Sequence, residues 1–120
     1  MYEVNRSVFL LIPLEPFWVW LQNLPDINLD GLSLKALQQD ANAYLISTAE
    51  NNEDLWLQIE QHYQDIFAAE LADWCEDERR WPQLDADTFL KWFEVKSSMI
   101  VTDLAKEELE REEFVPIELN

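Results

Sequence analysis

The sequence predicts an α+β protein: a small antiparallel sheet of three strands packed against one long amphipathic helix and several shorter helices. Three observations carry that prediction. Apolar residues recur at helical spacing from Leu55 to Trp74, short runs rich in Val, Phe and Ile stand on either side, and the elements read β-α-α-β-α-α-β-α. The 120 residues suit a single domain, 1–120, with a docked or flexible tail from about residue 114. Hydrophobic residues make up 48% of the chain, with six Trp and six Phe, so a core is available despite a net charge of −17.

Ser7–Ile12 is a continuous apolar run ended by Pro13, the pattern of a strand covered on both faces. Glu15-Pro16 opens a helix that stops before Pro25, because proline at an early helical position loses no needed N–H bond. Asp30-Gly31 is a turn holding the only glycine. Ser33 caps a short helix to Asp40 with Leu34 and Leu37 inward, and Ala43–Ser47 reads as a second strand. Asn51 or Asn52 caps the longest element, Glu53 to about Glu76. Its stripe is Leu55, Trp56, Ile59, Tyr63, Ile66, Phe67, Leu71 and Trp74, with Glu53, Glu60 and Gln64 opposite.

Trp81-Pro82 breaks the chain, and Asp85 or Asp87 caps a short helix carrying Phe89 and Trp92. From Phe93 to Thr102 apolar and polar residues alternate, Ser97 and Ile100 excepted, so a third strand is predicted, with a continuous helix through Leu109 as the rival. Asp103–Glu113 reads as a solvated helix with Lys106/Glu110 and Glu107/Arg111 pairs. The tail Phe114–Asn120 is apolar enough to dock on the body or on a partner.

Composition excludes several chemistries. One glycine leaves no phosphate-cradling loop. One Cys and one His are too few for a Cys/His zinc site, and Cys75 and His62 lie thirteen residues apart on one helix, out of hydrogen-bond reach. No cofactor and no catalytic constellation is expected. Direct binding of nucleic acid or an anionic membrane is not expected, since both are held by Lys and Arg. The lone Cys75 fits a reducing cytoplasm. Pro13, Glu15 and Pro16 interrupt the apolar N-terminal stretch, which argues against a signal peptide.

Glu70 falls inside the apolar stripe. Buried there, it needs a partner: a Trp indole, a Tyr hydroxyl, or Arg79 or Arg80 folding back. It is read as a structural buried acid; the alternative is a raised-pKa acid or divalent-cation site with Asp73, Asp77 and His62. Trp18 and Trp20 point about 200° apart on their helix, so both cannot be fully buried, and an exposed Trp is a good interface anchor. The acids Glu53, Glu60, Glu76, Asp77 and Glu78 form rigidly held carboxylate rows. A charge run is usually a solvated face, but −17 far exceeds the roughly 2–8 charges that solubility needs.

The stretch Ala69–Leu104, marked by Glu70-Leu71, Trp74, Trp81-Pro82, Phe89, Trp92-Phe93 and Asp103-Leu104, resembles a family of small, acidic, functionally uncharacterised bacterial proteins. The resemblance implies a bacterial source and no assigned activity. The residues themselves favour a non-enzymatic protein-binding module that engages a basic partner through Glu53, Glu60, Glu76, Asp77 and Glu78, with Trp18 and Trp20 as anchors. An inhibitor, an immunity-type protein and a nucleic-acid mimic all fit. The alternatives are a carboxylate cation site or enzyme centred on Glu70, and a structural subunit docking through Trp18 or Trp20 and the tail.

Overall fold

A computed structural model describes residues 1–115. Ten elements follow in order: β1 (Tyr2–Val4), β2 (Arg6–Pro13), α1 (Glu15–Gln22), α2 (Leu34–Gln39), β3 (Asn42–Ser47), α3 (Asn52–Ala72), a 3-10 turn (Glu78–Arg80), α4 (Ala86–Trp92), β4 (Phe93–Ser98) and β5 (Val101–Asp103). The α+β class, the antiparallel pairing and the long helix are as the sequence predicts. β2 is the central strand of a sheet ordered β3-β2-β4, and β1 pairs β5 in a two-stranded extension.

The helix starts follow from their caps. Ser33, Asn51 and Asp85 each accept the backbone N–H three residues ahead, satisfying one of the open donors of a first turn. Proline stands in the first turn of α1. Gly31 has φ +78°, a backbone angle that side chains resist, as the turn before α2 requires.

Strand parity then fixes what faces what. Ser7, Phe9, Leu11 and Pro13 of β2, Tyr44 and Ile46 of β3, and Phe93 and Val95 of β4 share one side of the sheet. Against it lie Leu55, Ile59, Ile66, Phe67 and Leu71 of α3, Phe17 and Leu21 of α1, and Phe89 of α4, all in one core cluster. Phe67 sits at the centre of an aromatic knot, with Phe89, Trp92 and Phe93 at 5.6–5.8 Å between ring centres.

Five expectations are corrected. β2 is covered on one face only. The other face presents Val8, Leu10 and Ile12 beside Ala43 and Leu45, and Leu10 and Leu45 are 36% and 53% exposed. The strand expected over 93–102 is divided between two sheets, with Met99 and Ile100 outside both strands. Four steps from Val4 to Val8 face three from Val101 to Ser98, so the N-terminal strand holds one extra residue. Buried Ser7 secures that irregular stretch: its hydroxyl donates to the Met99 carbonyl at 2.9 Å and accepts the Ala49 N–H at 2.8 Å. The rival continuous helix through Leu109 is likewise absent.

Third, α3 ends at Ala72 rather than near Glu76. Acids at a helix C-terminus oppose the dipole, and Asp77 is extended because it caps the following 3-10 turn. Fourth, residues 104–113 form no helix. Lys106/Glu110 and Glu107/Arg111 pairs supply only about 0.2–0.5 kcal/mol each, too little for a segment with five glutamates and no buried face. Fifth, Trp56 is not in the core. It lies in the predicted stripe but on an early turn of α3, whereas seven-residue α4 packs Phe89 against Tyr63 and Phe67 further along. The predicted tail lies mostly outside the described residues; Phe114 and Val115 are exposed.

Candidate functional site

Trp56 therefore stands where the first turns of α3 pass α4. It is 38% exposed, beside Leu57 at 54% and Leu90 of α4 at 51%. Glu53 and Glu60, expected opposite the stripe, are corrected here: they stand three residues before and four after Trp56, so both carboxylates flank the indole on one side of α3. Asp87 is one turn before Leu90 on α4 and also exposed. Between the helices runs a cleft of about 210 Å³, lined by Trp56, Ile59, Glu60, Tyr63, Phe89 and Leu90. An apolar floor, an exposed indole and a carboxylate rim are thus brought together. The sequence stripe concealed this patch because Trp56 is in phase with the core residues.

The other predicted site residues are distributed differently. Glu76, on the loop after α3, and Glu78, opening the 3-10 turn, are exposed beyond the far end of α3, about 30 Å of helix from Glu53. Asp77 is engaged internally. Its carboxylate accepts from Arg79 Nε at 2.9 Å and Nη2 at 3.0 Å, with Arg80 Nε at 3.7 Å. Those bonds and the Arg79 backbone N–H hold Asp77 below the usual carboxylate range.

Trp18 and Trp20 are half-buried and pack against the core. The Trp20 indole N–H donates to the Arg80 carbonyl at 2.8 Å and its ring meets Phe17 and Trp92, so it ties the loop after α3 to α1. The Trp81 indole does the same for the helix exit, donating to the Cys75 carbonyl at 2.8 Å.

Glu70 is 8% exposed. Its Oε1 accepts from the Tyr44 hydroxyl at 2.6 Å and from Asn42 Nδ2 at 3.0 Å, which stitches α3 to β3. Of the partners anticipated, the Tyr hydroxyl is the one present; Arg79 and Arg80 turn to Asp77 instead. Burial raises the Glu70 pKa, the two hydrogen bonds oppose that rise, and Asp73 adds to it. Burial and the Glu70 charge push the Tyr44 phenol upward in turn. Asp40, Glu70 and Asp73 line one hollow of about 210 Å³. His62 is two turns away along α3, beside Asp65 in a separate groove. Among the described residues no three His, Cys, Asp or Glu side chains converge as metal donors, and no helix is long and apolar enough to cross a membrane.

Comparison of the chain with protein-family models, with curated proteins and with solved structures found no match.

Proposed function

We propose that the protein is a non-enzymatic acidic binding module that holds a basic partner protein at the meeting of α3 and α4. The observation that carries this reading is the placement of Trp56 and Leu57 in the open between Glu53 and Glu60. An indole at the centre of an interface supplies much of its binding energy once neighbouring contacts exclude water. The surrounding carboxylates, on a chain of net charge −17, accelerate encounter with a cationic surface and select against acidic ones. Glu76 and Glu78 act in steering rather than at the cleft. The partner offers an apolar side chain to the cleft with Lys or Arg on either side of it. An inhibitor, an immunity-type protein or a nucleic-acid mimic would each use such a surface, and a reducing cytoplasm suits the free thiol of Cys75.

Calorimetry with two synthetic peptides of equal charge tests the proposal, one alternating Lys with Leu at helical spacing and one of Lys alone. The Lys/Leu peptide binds more tightly, added salt weakens it, and Trp56→Ala reduces its affinity tenfold or more, about 1.4 kcal/mol. Equal affinities for the two peptides, unchanged by Trp56→Ala, would leave only diffuse attraction and refute a built site.

A further inference from the structure

The three-stranded sheet has two edges, and they differ. β4 carries Glu94 and Lys96, the charges that commonly guard an edge against pairing. β3, Asn42–Ser47, has no charge and no proline, and its six residues pair β2 without a bulge. Among the described residues its outer edge pairs with no other strand. The Ser47 carbonyl accepts from Gln58 Nε2 at 3.0 Å, and a groove of about 520 Å³ between β3 and α3, lined also by Arg111 and Phe114, runs beside it. For a chain with 25 acids, an uncharged edge of this length is the exception.

The two ends of β3 carry opposite charge. Arg6 pairs in register with Ser47 and lines the groove, where Arg111 joins it, with Asp65 and His62 of α3 on the facing wall. At the Asn42 end, Asp40 and Asp73 line the hollow beside the strand. A two-fold axis through the middle of β3 would set two copies antiparallel, bringing the cationic end of each to the anionic end of the other. A parallel approach would oppose like charges. Antiparallel strand pairing is itself self-complementary, as a two-fold interface must be.

We infer that β3 is a self-association edge: it pairs antiparallel with β3 of a second copy of this chain, giving a continuous six-stranded sheet. The net charge of −17 on each copy opposes the pairing at long range. Added salt therefore strengthens the dimer, the reverse of its effect on a basic partner. The Trp56 cleft is lined by a different face of α3, so the inference does not depend on the proposed function.

Sedimentation velocity on the full chain, from micromolar to millimolar concentration at low and high salt, tests it. The expected species has twice the 14.3 kDa chain mass and gains population with salt. With the two-fold axis set at Leu45, this exposed side chain lies next to its own symmetry mate, so Leu45→Lys sets two ammonium groups together and weakens self-association at least tenfold. Leu10→Lys, on the same sheet face but on the central strand, leaves the dimer intact. Hydrogen exchange of the β3 amides slows as concentration rises. Circular dichroism melts confirm that both variants fold. A monomer throughout would overturn the inference. So would a dimer that survives Leu45→Lys, one lost equally in Leu10→Lys, or one without added protection in β3. Failure of the proposed function reads out separately, because Trp56→Ala leaves the dimer unchanged and Leu45→Lys leaves Lys/Leu peptide binding unchanged.

Discussion

Glu70→Gln keeps an acceptor for Tyr44 and Asn42 and removes the buried charge. Each hydrogen bond to a charged acceptor contributes about 1.5–3 kcal/mol. Withdrawing a carboxylate from water costs several kcal/mol. The raised pKa of Glu70 means that the burial cost outweighs the bonds from Tyr44 at 2.6 Å and Asn42 at 3.0 Å. At neutral pH the Gln variant is thus expected within about 1 kcal/mol of the parent, or above it. Glu70→Ala strands the Tyr44 hydroxyl and costs about 1–3 kcal/mol. The pH dependence follows from the sign of the shift. An acid whose pKa is higher folded than unfolded binds its proton more tightly in the folded state. Its stabilisation is complete below the unfolded value and is lost as pH rises through the folded one. Urea titrations of parent and Glu70→Gln between about pH 4 and pH 8 read this directly, with a limiting slope of about 1.36 kcal/mol per pH unit. Subtracting the two curves removes the general self-repulsion of the other carboxylates. A flat difference, or a Gln variant weaker than the Ala variant, would refute the reasoning.

Other expectations follow from single contacts. Ser7→Ala leaves the Ala49 N–H buried and without its acceptor, which lowers stability by about 1–3 kcal/mol in a thermal melt. Phe67→Ala empties the centre of the aromatic knot and costs about 3–5 kcal/mol, whereas Trp56→Ala changes stability far less because its indole is part-exposed. Trp20→Phe removes the bond to Arg80, and hydrogen exchange in 75–81 is expected to quicken while the α3 core amides stay protected.

What the sequence made legible was mostly local. The run SVFLLI marked β2, and Ser33, Asn51 and Asp85 marked helix starts because an N-cap needs only a side chain and the next turn. The period from Leu55 to Leu71 marked α3. Non-local features were hidden. β1 is three residues long and exists through pairing with β5, a hundred residues away in the chain. The break at Met99 and Ile100 depends on a bulge opposite, and the Lys/Glu and Glu/Arg spacings over 106–111 resembled a helix that had no core to lean on. Glu70 was legible as a buried acid from its angular position, but Tyr44 and Asn42 were not legible as its partners, because β3 register decides which side chains face α3. The binding patch was masked for the opposite reason. Trp56 obeys the helical period, and nothing in the period reveals which turns of α3 the other elements cover.

The central claim is that a basic partner seats at the cleft between α3 and α4. Nuclear magnetic resonance of the nitrogen-15-labelled chain, titrated with the Lys/Leu peptide, tests it most directly. The largest shifts are expected at the Trp56 indole N–H and at the amides of Leu57, Glu60 and Leu90. Shifts spread evenly over all the carboxylate-bearing segments, or gathered elsewhere with Trp56 unmoved, would contradict it.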